Sequence, residues 1–153
     1  MIKKVKIVKS VSPLTVKDIT NVENQLGISF PSDYRNFLLE FNGGKPTPNA
    51  FPLHNNPMDT HALLEWFYCI SKGNPYDILR NMQIMKGRIP KNLITIGEDP
   101  GGNLICMSVD GDRTGNIFFW DHEGESDQES SESNLYYVAE NFAALLESLE
   151  DLS

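Results

Sequence analysis

The chain has 153 residues, 40% of them apolar and 10% aromatic, with a formal net charge of −8 at pH 7. That length fits one domain with a real core, and the apolar content excludes wholesale disorder. The acidic balance disfavours direct contact with nucleic acid phosphates or anionic membranes, and no apolar run approaches the ~18–20 residues needed to span a bilayer. The N-terminus, MIKKVKIVKS, is basic, but neither an apolar signal core nor a small-residue cleavage site follows it. A soluble, untargeted, cytoplasmic chain is expected.

In chain order, Lys3–Val8 half-alternates and reads as an edge strand. Val16, Ile19, Val22 and Leu26 follow helical spacing, so the first helix is expected over Val16–Leu26. Thr15 can cap it, Asp18 completes an approximate capping box, and Gly27 suits the position just past its end. The second helix is expected over Pro31–Asn42, with Pro31 at the first helical position. Tyr34, Phe37, Leu38 and Phe41 form its apolar stripe, and Asn42-Gly43-Gly44 ends it. Segment 42–60 is rich in Pro and Asn and reads as an ordered loop, with a short strand candidate at Phe51–Leu53. Glu65–Ser71 is a β-rich strand candidate, with extension of a helix as the alternative. A third helix opens at Asn74-Pro75, with Ile78, Leu79, Met82 and Met85 inward. The last covers Ala139–Asp151, with Phe142, Leu145, Leu146, Leu149 and Leu152 on one face.

Between the last two helices, LITIGEDPGGNLICMSVDGDRTGNIFFWDHE holds three apolar runs, Leu93–Ile96, Leu104–Val109 and Ile117–Trp120. Gly- and Asp-rich breaks separate them, which predicts an antiparallel meander with carboxylates on its turns. Segment 124–134, GESDQESSESN, has no apolar residue and is expected to be mobile. The whole reads as an α+β fold: a single domain, 1–153, with a mainly antiparallel sheet packed against an N-terminal helix pair, a middle helix and a C-terminal helix.

Cys69 and Cys106 sit in apolar, strand-like runs without metal-ligand neighbours in sequence. Buried free thiols in a reducing cytosol are favoured over a disulfide. Charge is uneven. Residues 1–17 carry five lysines and no acid, whereas no Lys or Arg follows Arg113 and acids continue to the C-terminus. A solvated acidic surface is the plain reading; a face that steers a basic protein partner is the sharper one.

The chemistry-bearing patterns are weak. Counting from Asp110, carboxylates fall at positions 1, 3 and 12 (Asp121) and Gly115 at 6, as in a calcium loop. Thr114 at position 5, the short Asp at 12 and the strand-like flanks favour a polar hairpin turn. Gly97-Glu98-Asp99-Pro100-Gly101-Gly102 resembles a phosphate cradle only in its glycines. Another strand follows, and its carboxylates repel phosphate, so a hairpin turn is favoured. Glu98, Asp99, Asp110, Asp112, Asp121 and Glu123 offer acid/base pairs, as any acidic loop does. His122, between Asp121 and Glu123, is a candidate general base but is better read as structural. His54 and His61 show no ligand pattern. Trp66-Phe67-Tyr68 is either an interface anchor or, for alternate members, core.

LGISFPSDYRNFLLEFNGG resembles the N-terminal helix pair of the SUKH superfamily. ITIGEDPGGNLICMSV and GNIFFWDHE resemble that superfamily's strands, in the right order and spacing, with its C-terminal helix following. The resemblance covers about residues 16–151. Its recurring positions match Pro31, Tyr34, Phe37, Leu38, Gly43, Gly44, Gly97, Gly102, Asn103, Trp120, Asp121 and His122, most of them structural in character. The 42–60 loop and the basic N-terminal strand lie outside the pattern.

The group includes yeast cell-wall-assembly regulators of the Smi/Knr type and many bacterial immunity proteins of polymorphic toxin systems. The resemblance therefore implies an α+β fold and a non-catalytic role: binding and neutralising a cognate toxin, often a nuclease. No cofactor and no metal is expected, and the chain should be a monomer or weak dimer. The candidate partner-facing residues are Glu98, Asp99, Asp110, Asp112, Asp121, Glu123, Trp66 and Tyr68, meeting a basic surface on the toxin. The alternatives are a regulatory scaffold for endogenous proteins, or a carboxylate-dependent enzyme or metal binder.

Overall fold

The three apolar runs between Leu93 and Trp120 form the centre of a five-stranded antiparallel sheet in a computed structural model, which describes residues 5–54, 56, 59–124 and 133–152. In chain order the elements are β1 (Lys6–Val8), α1 (Val16–Leu26), α2 (Ser32–Glu40), β2 (Lys45–Thr47), β3 (Ala50–Pro52), β4 (His61–Leu63), β5 (Trp66–Phe67), α3 (Ile78–Met85), β6 (Leu93–Glu98), β7 (Leu104–Ser108), β8 (Ile117–Trp120), β9 (Leu135–Ala139) and α4 (Phe142–Ser148), with a 3-10 turn at His122–Gly124. The main sheet runs β5-β6-β7-β8-β9, and β1–β2 and β3–β4 are separate antiparallel pairs. The fold is α+β. No helix among the described residues is long and apolar enough to cross a membrane.

β6, β7 and β8 do not alternate; nearly every residue in them is buried, because both faces of the sheet are covered. On one face, α3 meets β6 where Met82 Sδ accepts from Thr95 N at 3.3 Å. Elsewhere the core is aromatic. Phe37 of α2, Phe67 of β5 and Phe142 of α4 meet with ring centroids 4.8–5.5 Å apart. Asp33 of α2 accepts from Ala143 N at 3.0 Å, so α2 also satisfies the first turn of α4.

Local signals decide most helix ends. Thr15 and Asp18 form the expected reciprocal capping box, at 2.8 and 3.2 Å. The bonds from Thr15 hold the Asp18 carboxyl below its usual range. Gly27 closes α1 in the left-handed conformation, φ 71°. Other ends differ from expectation. Pro31 is the N-cap of α2, not its first residue: its ψ of 147° is extended, while its carbonyl accepts from Arg35 N at 2.9 Å. α2 stops at Glu40. α3 opens at Ile78, because Asn74 folds the preceding residues into a turn and Asp77 caps the helix through Arg80 N.

The C-terminal region departs most. Ala139 belongs to β9, which was not expected, and α4 starts only after Asn141 caps it. Beyond α4, Glu150 returns to extended pairing with Ala50, and Leu152 is 56% exposed, off the buried face. The 42–60 loop contains β2 and β3, and β2 pairs with the N-terminal strand β1. Gly44 bridges to Phe67, bringing that pair onto β5; a Cβ on Gly44, at φ 126°, would stand 2.6 Å from the Val8 carbonyl oxygen. Lys3 and Lys4 of the expected edge strand, and 125–132 of the expected mobile segment, lie outside the described residues. Asn134, at the end of that segment, is buried. Cys69 and Cys106 are buried and free.

Candidate functional site

The meander sorts the six candidate carboxylates by strand direction. β6 ends at Glu98 and β8 ends at Trp120, so the 99–103 turn and residues 121–124 share one end of the sheet. Glu98, Asp99, Asp121 and Glu123 are at that end. Asp110 and Asp112, in the β7–β8 turn, are at the other.

Hydrogen bonds build the first end into one corner. Asp99 Oδ1 accepts from Gly101 N at 2.9 Å and Asn103 N at 2.7 Å, and its Oδ2 accepts from Asn103 Nδ2 at 2.8 Å. Asn103 Oδ1 in turn accepts from His122 N at 3.0 Å. His122 Nε2 lies 2.9 Å from the Gly101 carbonyl oxygen. A carbonyl only accepts, so Nε2 carries the hydrogen, and the ring is engaged in holding two turns together. Asp121 Oδ1 accepts from Glu123 N at 3.0 Å. Asn134 clasps the Asp121 backbone from both sides, through Asn134 Nδ2 at 2.8 Å and Asp121 N at 3.0 Å. Asp99 and Asp121 thus brace the turns and charge them at once. Glu123 is exposed.

Glu98 is half-buried. Burial pushes its carboxyl above the usual carboxylate range, against the hydrogen bond from the Tyr68 hydroxyl, and Asp99 and Glu65 push it further up. Directly across the β5–β6 pairing stands Trp66, so its side chain shares a face with Glu98. The Trp66 ring stacks on Tyr76 at 4.4 Å, and Lys45 Nζ lies 4.9 Å from its centroid while pairing with Glu65 at 3.0 Å. Gly97 permits this close approach, since a Cβ there would stand 2.7 Å from the Trp66 carbonyl oxygen.

Tyr68 does not sit on the surface. It is 1% exposed, because its backbone continues the pairing to Ile96 and its ring enters the core. It reaches the corner only through its hydroxyl. At the far end, Asp110 Oδ1 accepts from Gly111 N at 2.8 Å and Ser108 Oγ donates to the Asp110 carbonyl at 3.1 Å. Asp110 and Asp121 stand at opposite ends of β8, on the order of 13 Å apart by strand rise, so they cannot close on one ion. Among the described residues, no group of three His, Cys, Asp or Glu side chains comes together to hold a metal.

Asn134 and the bridging role of Asn103 were not singled out in the sequence. An Asn next to an apolar strand is the only local signal for the first; the partners are distant in sequence for both.

A model of the SMI1 / KNR4 family (SUKH-1) matches residues 13–148. This chain belongs to that family. It is also 31% identical to the SPbeta prophage-derived uncharacterized protein YokK of Bacillus subtilis (strain 168), over an alignment covering 90% of this chain and 75% of the relative. In this SUKH-1 chain, Gly97, Gly102, Asn103, Asp121 and His122, on which the resemblance rested, assemble at the acidic corner. There they form its turns and hydrogen bonds, whereas Glu98, Asp99, Glu123 and Trp66 supply much of its charge and aromatic surface.

Proposed function

We propose that this SUKH-1 chain is a cytoplasmic, non-catalytic immunity protein that neutralises a cognate toxin by direct protein–protein binding. Family membership supports the class of function. The observation that carries the specific reading is the gathering of Glu98, Asp99, Asp121 and Glu123 at one end of the sheet, beside the partly exposed Trp66. Such a corner suits a basic partner: the charges steer the encounter, and an aromatic side chain next to them can anchor it. A nuclease toxin fits this well, because an enzyme that holds phosphates carries a basic surface. Covering that surface would exclude nucleic acid without any chemistry by the inhibitor.

Co-expression with the product of the adjacent open reading frame tests the reading. Rescue of growth together with a stoichiometric co-purified complex supports immunity. Binding to several host regulators without rescue supports a regulatory scaffold instead.

A further inference from the structure

The end of the sheet opposite the acidic corner is built on different terms. α3 stops at Met85, and Gly87, at φ 82°, turns the chain back toward β6. Between the C-terminal end of α1 and α3 this leaves a cleft of about 490 Å³. Leu26, Leu79, Met82 and Met85 line it, and Lys86 and Lys91 supply its charge. Leu26, Leu79 and Met82 are only half-buried. Pro90 and Leu93 also line one adjoining cleft and Lys91 another, so the three depressions meet around the chain entering β6.

The charged side chains lining the groove itself, Lys86 and Lys91, are both cationic, whereas the adjoining clefts carry Glu23, Asp110 and Asp112. From Ile78 to Gly97 the sequence has Arg80, Lys86, Arg88 and Lys91 and no carboxylate, in a chain of net charge −8. Lysine stems extend an apolar wall while their ammonium groups stay at its rim. Methionine side chains adapt to the shape of what they cover. An acidic segment is repelled by most of this surface and attracted only where the rim is cationic, which confines it to one place.

The geometry points to a second docking surface, separate from the acidic corner: the α1–α3 groove accepts an acidic amphipathic segment of a partner protein, its apolar side chains on Leu79 and Met82 and its carboxylates on Lys86 and Lys91. This is helix-in-groove recognition, with apolar anchors at helical spacing.

A displayed library of random short peptides, selected on the full chain, tests it. Two folded controls accompany the wild type: Lys86→Glu/Lys91→Glu, and Lys86→Arg/Lys91→Arg, which keeps the charge. The selected peptides should be rich in Asp and Glu, with leucine-like residues three or four apart. Their affinity by fluorescence anisotropy should fall roughly tenfold or more in the Glu variant and stay near wild type in the Arg variant. Their binding should also move the Met82 and Met85 methyl resonances. Recovery of no peptides, peptides without acidic bias, or equal binding to the Glu variant overturns the proposal. Self-association in sedimentation that the Glu variant abolishes assigns the groove to a second copy and overturns it. So does Lys86- and Lys91-dependent binding to phosphatidylglycerol vesicles, which assigns it to a membrane.

Discussion

The Tyr68 hydroxyl donates to Glu98 Oε1 at 3.0 Å, tying a core residue to the acidic corner. That hydrogen bond favours the ionised carboxylate, while burial disfavours it more strongly. With its folded value raised, Glu98 still holds a proton at pH values where the unfolded chain has released it. Its contribution to stability is therefore full below the ordinary carboxylate range and is lost as pH rises through the folded value. Tyr68→Phe should raise the Glu98 titration further, and the lost bond should cost roughly 1.5–3 kcal/mol at neutral pH. Carboxyl NMR titration with urea unfolding measures both. A Glu98 midpoint that is unchanged or lower would show that the bond does not govern this carboxylate.

Phe37 packs on Phe142 at 4.8 Å and Phe67 at 4.9 Å, joining α2, α4 and the sheet edge. Phe37→Ala should cost roughly 3–5 kcal/mol, since three elements cannot all collapse into the space left. Chemical denaturation reads this directly. A loss under about 1 kcal/mol would mean that the aromatic junction is not the core of the fold.

Asp110 braces its own turn through Gly111 N, and Asp121 is a strand-length away. Millimolar calcium or magnesium should leave the melting temperature unchanged. A saturable rise that Asp110→Asn abolishes would revive the ion-loop reading, because a ligand that binds only the folded state stabilises it.

Burial pushes the Cys69 thiol up to about 11 and raises Cys106 further. Reactivity belongs to the thiolate, so both should resist a thiol reagent in the native protein and react fully once it is unfolded. Rapid native labelling of either would reveal an opening of the sheet absent from this structure.

The sequence was most informative where short-range rules decide. The Thr15–Asp18 capping box, Gly27 and the three apolar runs of the meander were all legible, because each depends on residues a few positions apart. Leu135–Ala139 was not. Its five residues lie between a polar stretch and a helical pattern, and only pairing with β8 makes them a strand. Tyr68 looked like an available aromatic, since its burial depends on the β5–β6 register. The corner was legible in its acids but not in its assembly. Asn103 with His122, and Asp121 with Asn134, meet only after the meander has folded. Asp110 and Asp112 matched the same composition rule, yet strand direction carries them to the far end.

The most direct test of toxin binding through the acidic corner is the association rate with the co-encoded toxin as a function of salt. The informative variant is Glu98→Gln/Asp121→Asn/Glu123→Gln, which removes three charges while an amide oxygen keeps the hydrogen bonds that Glu98 and Asp121 accept; Asp99 is left intact because both of its oxygens accept. Wild-type association should be fast and fall with added salt, since exposed charges are screened beyond ~8–10 Å at moderate ionic strength. The variant should associate roughly tenfold or more slowly, with a shallower salt dependence. A wild-type rate indifferent to salt and unchanged in the variant would place the interface elsewhere, and a wild type that binds no co-encoded toxin would contradict the immunity reading itself.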